Sequence, residues 1–230
     1  MDNARLLSLI PARAGSERLP RKNTRLLAGA PMISWAIRAA KSSTLVEDVV
    51  VSTDDERIGE IARAMGAEVP FVRPRNLAGS TASMIDVVLH ALGELEALGR
   101  IYDFVMLLQP TSPLRTSTHI DEAMNLFCEK RANAVISVTE TDHPIEWAKP
   151  ISEDLRMDQF SGPEFSSRSQ EFPIHYRVNG AIYIAHTGKL REKRSFFLKE
   201  QCFAYVMPRE ASIDVDSEFD FLLAEVLLGK

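Results

Sequence analysis

A group of basic side chains follows the first apolar segment of the chain. Leu6 to Ile10 is apolar and ends at Pro11, which is typical of a buried central strand. The stretch that follows carries cationic side chains and small residues: Arg13, Gly15, Ser16, Arg18, Arg21 and Lys22. In open α/β sheets, ligands bind at the carboxyl ends of central strands, and concentrated positive charge suits a triphosphate that must lose pyrophosphate. The stretch matches neither GxxxxGK[ST] nor GxGxxG, so a solvated basic loop stays an alternative at this point.

Two carboxylates near the C-terminus form the second candidate site. The alternation of Ile213, Asp214, Val215 and Asp216 predicts a short strand over 213–215, with both aspartates on its polar face. Paired carboxylates make a suitable site for a hard cation, so the pair predicts a Mg²⁺ site. Solvated acids at the end of a strand are the alternative.

A proline-rich stretch after another apolar run is the third candidate. Phe104 to Leu108 predicts a strand, and two prolines then stiffen the backbone. We expect this stretch to display polar side chains at the edge of the sheet, namely Gln109, Thr111, Ser112 and Arg115. An ordinary strand-to-helix loop stays open as an alternative.

Other chemical patterns are weak or missing. Asn179 and Gly180 precede alternating apolar residues, which predicts a hairpin turn. The five histidines have no metal-ligand spacing, and no GxSxG elbow supports nucleophilic hydrolysis.

The elements that must position these residues alternate between strand and helix. Apolar runs predict further strands at 49–51, 69–72, 134–138 and 181–184, and helical spacing predicts helices from 31, at 58–65, 82–98, 120–129 and from 219. Ser217 and Asp220 predict a capping box for the last helix. The alternation indicates an α/β fold with a mostly parallel, Rossmann-like sheet flanked by helices.

The alternation stops between Thr139 and Arg177, where four prolines interrupt the chain. Because so long a structureless loop is uncommon in a compact domain, we interpret residues 139–177 as a small protruding lobe. Residues 1–138 and 178–230 then form the core. The lobe is too small to bury much apolar surface alone, so we expect it to pair with a second subunit.

Composition excludes several classes of protein. A net charge of −5 argues against a nucleic-acid partner, and no apolar run is long enough to span a membrane. Two distant cysteines without metal-ligand spacing indicate reduced thiols. With LLSLIPA too short for a signal sequence, we expect a cytoplasmic protein.

Taken in order, the motifs resemble those of the CMP-sialate synthetases, the acylneuraminate cytidylyltransferases. The matching stretches are IPARAGSERLPRKN at 10–23, VSTDD at 51–55, RPRNLAGSTAS at 73–83, LLQPTSPLR at 107–115, NGAIYI at 179–184 and SIDVDSEFD at 212–220. The resemblance implies a nucleotidyltransferase fold and a homodimer whose lobe reaches into the partner's site. It also implies a single displacement, in which the anomeric hydroxyl of the sugar attacks the α-phosphate of CTP and pyrophosphate leaves.

The resemblance also implies roles for individual residues. The nucleotide would be bound by Arg13, Ser16, Lys22, Asn23, Arg73, Ser83, Pro110 and Thr111. The sugar would contact Gln109, Arg168, Asn179, Tyr183, Phe196 and Phe197, partly across the dimer. Arg13, Lys22, Asp214 and Asp216 would be catalytic, with the two aspartates holding Mg²⁺.

One departure bears on the identity of the sugar. The sialate enzymes have a lysine soon after a His-Pro pair, whereas Ile145 and Glu146 follow His143 and Pro144 here, and the nearest lysine is Lys149. N-acetylneuraminate is therefore the first expectation and legionaminate the second. The pseudaminate branch is placed behind both, because it is expected to lack NGAIYI. The eight-carbon acid Kdo and a catalytically inactive nucleotide- or partner-binding domain are the remaining alternatives.

Overall fold

The computed structural model describes residues 4–229, so residues 1–3 and 230 of the predicted core lie outside the described part. The strands are β1 (Leu6–Pro11), β2 (Leu26–Leu27), β3 (Ala30–Pro31), β4 (Asp48–Ser52), β5 (Phe104–Leu107), β6 (Ala134–Glu140), β7 (Tyr176–His186) and β8 (Cys202–Val206). The helices are α1 (Met32–Lys41), α2 (Glu56–Ala64), α3 (Met84–Ala97), α4 (Ser117–Glu129), α5 (Thr187–Lys193) and α6 (Glu218–Leu228).

Six strands form one mixed sheet in the order β4-β1-β5-β7-β6-β8. Strand β1 is parallel to β4 and β5, and β6 is parallel to β8. Only β7 runs antiparallel to both of its neighbours in this sheet. Every residue of β1 is buried, as expected for a central strand covered on both faces. The predicted mostly parallel α/β fold is confirmed.

Helices cover both faces of the sheet. Ile33 of α1, Ile58 of α2 and Ile120 of α4 belong to the core on one face. Val88 of α3 and Leu190 of α5 belong to the core on the other face. Each face therefore has its own apolar core, and the strand ends are left free to carry loops.

Helix α6 packs against both the basic loop after β1 and the acidic segment that precedes the helix. Its predicted capping box is confirmed, because Ser217 Oγ accepts from Asp220 N at 3.3 Å and Asp220 Oδ2 accepts from Ser217 N at 2.8 Å. Phe221 of α6 packs in a third apolar cluster with Leu19 and Val215. The basic loop after β1 and the acidic segment before α6 thus share one small core.

Two predicted strands are absent from the described part of the chain. Residues 69–72 contain Pro70, which has no N–H for a ladder, and only one bridge, between Val50 and Glu68, forms there. Residues 213–215 form no strand either. Val215 N donates to Thr111 O at 2.8 Å, so this segment meets the loop after β5 instead of pairing along a strand.

The predicted hairpin turn at Asn179 and Gly180 is wrong. Both residues lie inside β7, and Gly180 has a φ of +77° at the point where the pairing with β6 shifts register between Ile136 and Val138. The pair therefore forms a β-bulge within β7. The connection between β6 and β7 is made by residues 141–175, so no tight turn is needed at Asn179 and Gly180.

The irregular segment lies between β6 and β7, whose last pairs join Val138 to Val178 and Glu140 to Tyr176. Between the strands it forms short 3-10 turns at Ile145–Trp147, Asp158–Phe160, Pro163–Ser166 and Ser169–Glu171. Trp147 packs on Phe172 with ring centroids 5.8 Å apart, and its Nε1 donates to Glu164 O at 2.8 Å. The predicted boundaries at 139 and 177 therefore fall within the last β6–β7 pairs. Across residues 4–229, no helix is both long and apolar enough to cross a membrane.

Candidate active site

A cavity of about 400 Å³ opens where the loops after β1 and β5 meet the acidic segment before α6. Ten of the predicted site residues line it: Arg13, Ser16, Lys22, Asn23, Arg73, Gln109, Pro110, Thr111, Asp214 and Asp216. The cavity lies beyond the carboxyl ends of β1 and β5, as expected for a ligand site in an open α/β sheet.

The loop after β1 is held in place by its own backbone contacts. Ala12 N donates to Ser52 O at 2.9 Å, and Ala14 N donates to Asp54 Oδ1 at 3.0 Å. Asn23 is buried and its Nδ2 donates to Arg13 O at 3.0 Å. The Asn23 amide therefore fixes the backbone of Arg13, while both residues line the cavity.

Lys22 links the basic loop to the acidic segment. Its Nζ donates to Val215 O at 2.7 Å and to Asp216 Oδ1 at 2.9 Å, and its side chain is only 13% exposed. Arg18 Nη1 contacts the second oxygen of Asp216 at 3.0 Å, although the Arg18 side chain is 77% exposed. Both carboxylate oxygens of Asp216 therefore contact cationic side chains.

Asp214 is in a different environment from Asp216. Its Oδ1 is buried and has no hydrogen-bond partner among the described residues. Burial raises the pKa of Asp214, and the charge of Asp216 raises it further, while Thr111 and Lys22 act in the opposite direction. A buried carboxylate oxygen that lacks a donor is a candidate ligand for a cation.

The bulge in β7 leaves space beside this carboxylate. A Cβ built on Gly180 would lie 3.6 Å from Asp214 Oδ2 and 3.9 Å from Gln109 Nε2. The positive φ of Gly180 is also unfavourable for residues that have a Cβ. A Cβ at these distances would make ordinary van der Waals contact, so it is the positive φ that favours glycine here.

The two aspartates fit a hard divalent cation only in part. Mg²⁺ is bound in proteins through one or two carboxylates together with waters and substrate phosphates, which matches Asp214 and Asp216. The described residues contain no cluster of three or more metal-ligating side chains. Asp214 offers an oxygen without a partner, whereas Asp216 would have to release Lys22 or Arg18.

Arg13, Lys22 and Arg73 all line the cavity, where we call them the cationic wall, and Arg73 is its buried member. Its Nε donates to Ser52 Oγ at 3.1 Å, and its Nη2 donates to the Ser52 carbonyl. Burial lowers the pKa of Arg73 to about 10, with Asp54 raising it and Arg13 lowering it. The side chain therefore stays charged at neutral pH.

Six predicted ligand residues lie outside the cavity lining, and Ser83 and Asn179 are two of them. Ser83 is exposed at the N-cap of α3, while Ser80 and Met84 on either side of it line the cavity. Asn179 is buried, and its amide accepts from Ser137 Oγ at 2.6 Å and donates to Ser212 Oγ at 2.9 Å. The Asn179 side chain is thus committed to internal contacts, and its contact with a sugar stays a prediction.

The three predicted aromatic residues form one group, although none of them lines the cavity. The Tyr183 ring lies 5.5 Å from that of Phe196 and 6.3 Å from that of Phe197. Burial raises the pKa of Tyr183, and the negative charge of Asp214 raises it further. Phe197 is exposed, and Arg168 is exposed on the irregular segment away from the lining residues.

The expectation that Ser112 and Arg115 are displayed at the sheet edge is wrong, because both are buried. Arg115 Nη1 donates to Gln109 O at 3.1 Å and to Ala181 O at 2.8 Å. Burial lowers the pKa of Arg115 to about 9. The guanidinium therefore fastens the loop after β5 to the bulge in β7.

Sequence reasoning also missed five lining residues, which are Pro11, Glu17, Leu19, Ser80 and Met84. Ser80 lies within the RPRNLAGSTAS stretch at 73–83, so that stretch contained the signal for it.

Comparison with known proteins identifies the family of this chain. A family described as cytidylyltransferase matches residues 7–222. The chain is 36% identical to the pseudaminic acid cytidylyltransferase of Campylobacter jejuni, with 96% of this chain and 95% of that protein covered. It is 37% identical to the CMP-N,N'-diacetyllegionaminic acid synthase of Legionella pneumophila, with 97% and 96% covered. It is 36% identical to the N-acylneuraminate cytidylyltransferase of Escherichia coli, where 98% of this chain matches 52% of that protein.

The fold also resembles a solved structure of a CMP:2-keto-3-deoxy-manno-octonic acid synthetase complexed with CTP. The TM-score is 0.73 at 17% identity, with 98% of this chain and 99% of that chain covered, so this likeness concerns the fold alone. The named relatives have almost equal identities, which gives no support for placing the pseudaminate branch behind the others. Because the family match and these relatives span nearly the whole sequence, the chain belongs to the cytidylyltransferase family of nucleotidyltransferase enzymes.

Proposed function

We propose that this chain joins CMP from CTP to a nonulosonic acid, with N-acylneuraminate as the first candidate and legionaminate as the second. The observation that carries the proposal is one cavity with a cationic wall and an acidic wall. Arg13, Lys22 and Arg73 supply the positive charge, and Asp214 and Asp216 supply the carboxylates. The named relatives act on sugars of this acidic class and use CMP as the transferred group.

The cationic wall accounts for the binding and the departure of a polyphosphate. A triphosphate brings several negative charges, and the negative charge on the leaving pyrophosphate grows as the bond to the α-phosphate breaks. Arg13 and Lys22 stand at the cavity on a loop already fixed by backbone contacts, so little reorganisation is needed. Positioning and charge neutralisation then supply most of the catalysis.

We propose the acidic wall as the Mg²⁺ site, with Asp214 and Asp216 as its protein ligands. The Asp214 carboxylate has no paired cation within residues 4–229 and would repel an approaching triphosphate; a bound divalent cation would neutralise it and polarise the phosphate oxygens, with Asp216 released from Lys22 or Arg18 to join it. Asp214 Oδ1 supports this proposal, because it is buried and has no donor among the described residues. We assign no protein side chain as the general base for the sugar hydroxyl.

The sugar is proposed to lie between Gln109 and the aromatic group of Tyr183, Phe196 and Phe197. Gln109 lines the cavity, and the charge of Asp214 acts on the Tyr183 phenol. The anomeric hydroxyl would attack the α-phosphate in a single displacement, which needs no covalent protein intermediate. The reaction is proposed to take place in the cytoplasm.

The irregular segment is proposed to contact a second copy of the chain. Several of its large apolar side chains are exposed, among them Ile151, Leu155 and Met157. Arg168 on the same segment would then reach the partner's cavity. Light scattering at assay concentration checks this proposal, and a fully active monomer would contradict it.

The nucleotide preference gives the first test of the function. Pyrophosphate release with N-acetylneuraminate should be much faster with CTP than with ATP, GTP or UTP. Comparable turnover with any of these three would contradict the proposal. A Lys22→Met variant, which should be nearly inactive, shows that the release comes from this cavity.

The preferred sugar substrate is identified by comparing turnover with a panel of four acidic sugars at equal concentration. The panel contains N-acetylneuraminate, N,N'-diacetyllegionaminate, pseudaminate and Kdo. We expect N-acetylneuraminate first and legionaminate second. A clear preference for Kdo would overturn the assignment of a nine-carbon acid, and a clear preference for pseudaminate would overturn the order among these acids.

A further inference from the structure

A buried arginine behind the loop after β5 has no counter-ion among the described residues. Arg115 is 2% exposed, and burial lowers its pKa to about 9, so the guanidinium stays charged at pH 7. Its Nε and Nη2 are buried and lack an acceptor within residues 4–229. A buried charge is costly, and an apolar side chain of similar length would fill the same space without that cost. Stability therefore does not explain an arginine at this position.

The contacts that Arg115 does make join two distant parts of the chain. Its Nη1 donates to Gln109 O at 3.1 Å and to Ala181 O at 2.8 Å. The pairing between β5 and β7 ends at Leu107 of β5, and Pro110 has no N–H with which to extend it. The guanidinium therefore connects the two segments just beyond the last pair of the ladder.

These two segments lie beside groups that the proposed reaction uses. Gln109 lines the cavity, and Gly180 precedes Ala181 in the bulge of β7. A Cβ built on Gly180 would lie 3.9 Å from Gln109 Nε2 and 3.6 Å from Asp214 Oδ2. The bulge is thus within contact range of both the amide and the carboxylate. Because Arg115 binds the backbone on both sides, it fixes the amide relative to the bulge and to the carboxylate beside it.

The cationic wall is held by contacts that do not involve this guanidinium. Lys22 Nζ donates to Val215 O at 2.7 Å, and Arg73 Nε donates to Ser52 Oγ at 3.1 Å. A change at Arg115 should therefore leave the cationic wall in place. Binding of the CTP phosphates should then be retained when the contacts of Arg115 are lost.

We propose that Arg115 is a positioning residue for the sugar substrate, which holds the Gln109 amide and the bulge of β7 at a fixed separation. The inference rests on the proposed function, in which Gln109 contacts the sugar. Arg115 does not line the cavity, so it acts through its two backbone contacts and touches neither substrate. Misplacing a group at a reaction site by about 1 Å can cost roughly 10²-fold in rate. Loss of the guanidinium should therefore reduce sugar turnover while CTP still binds.

Two variants of Arg115 test this role in the full chain. Arg115→Met loses both donors and should lower kcat/KM for the preferred nonulosonic acid by roughly 10–10²-fold. Arg115→Lys keeps the charge, but its ammonium is one bond closer to the backbone than Nη1, so we expect a smaller decrease of roughly three- to tenfold. The Kd for CTP, measured by titration calorimetry with Mg²⁺ and without sugar, should stay within about twofold of the wild type in both variants.

Tyr205→Phe is the matched control. It removes the hydrogen bond that Tyr205 Oη donates to Glu122 of α4, the helix that follows Arg115, and neither residue lines the cavity. This variant should leave both kcat/KM for the sugar and the Kd for CTP unchanged. Melting curves of all three variants show how far each is destabilised and that each is folded.

The decisive outcome is a loss that is selective for the sugar. If folded Arg115→Met keeps kcat/KM for the sugar within about twofold of the wild type, the inference is overturned. Equal losses of sugar turnover and CTP affinity would also overturn it, because they indicate a purely structural role. If Arg115→Met does not fold, the same two measurements on Arg115→Lys decide. A wild type that forms no CMP–sugar with any nonulosonic acid refutes the proposed function itself, whereas an active wild type with unselective variants refutes only the positioning role.

Discussion

Replacing Asp214 by asparagine should raise the thermal stability of the metal-free protein, whereas the same change at Asp216 should lower it. Asp214 is largely buried, and its pKa is raised by burial and by the charge of Asp216. An acid whose pKa is raised on folding contributes stability below its unfolded value of 3.8, and this contribution is lost as the pH rises. At pH 7 the ionised carboxylate therefore opposes folding, and asparagine removes that charge.

Asp216, in contrast to Asp214, is stabilised in its ionised form by ion pairs with two cationic side chains. Its loss breaks a 2.9 Å ion pair with Lys22, whose side chain is 13% exposed, and a pair with Arg18, whose side chain is 77% exposed. The pair with Arg18 is worth close to zero because solvent screens it. The pair with Lys22 is worth about 1 kcal/mol, because Asp216 itself is 46% exposed and the usual value for charged hydrogen bonds must be discounted. For a chain of this size that corresponds to a decrease in Tm of about 2–4 °C.

The assay is thermal unfolding of both variants in EDTA at pH 7 and pH 4, together with CTP turnover against Mg²⁺ concentration. The stability gain of Asp214→Asn should shrink as the pH falls towards 4. Both variants should lose roughly 10²–10³-fold in turnover, on the scale of losing one group that stabilises transition-state charge. Equal decreases in Tm for both variants would refute the stability argument, and wild-type turnover with unchanged metal dependence would refute the site.

Three further changes test individual contacts. Lys22→Met should reduce CTP turnover by roughly 10²–10³-fold, while Lys41→Met on the exposed end of α1 leaves it unchanged; equal turnover in the two variants would contradict the assigned role. Gly180→Ala and its control Gly99→Ala both place a Cβ at positive φ and should each cost about 1–2 kcal/mol in thermal unfolding. Only Gly180→Ala should also lose turnover, because its Cβ lies beside Asp214 and that of Gly99 meets open space. Asn179→Ala should lower the free energy of unfolding by about 1–3 kcal/mol in urea titrations, and a purely sugar-contacting role would leave that free energy unchanged.

Most of the fold could be predicted from local patterns in the sequence. Buried strands such as β1 and β4 are largely apolar runs, and these runs alternate with segments of helical spacing. The cap of α6 is a local interaction between Ser217 and Asp220, so its four-residue signature was sufficient. The grouping of Arg13, Lys22, Asp214 and Asp216 in one cavity agrees with the roles that the resemblance implied, although the strand predicted at 213–215 does not form.

The errors arise where tertiary contacts decide the conformation. Asn179 and Gly180 suit a tight turn or a bulge equally well, and the long β6–β7 connection decides for the bulge. Arg115 is buried because two carbonyls, of Gln109 and Ala181, converge on it from distant parts of the chain. No local pattern encodes that meeting, and a charged residue in a polar stretch is normally exposed.

The central claim is that the chain transfers CMP to the hydroxyl of a nonulosonic acid, and ³¹P NMR tests it most directly. CTP, N-acetylneuraminate and Mg²⁺ are followed in one tube with the purified protein. The account predicts that the three CTP resonances are replaced by one phosphodiester resonance of a CMP–sugar and by pyrophosphate, in equal amounts. Release of free CMP or CDP without a CMP–sugar, with each nonulosonic acid supplied in turn, would contradict the account.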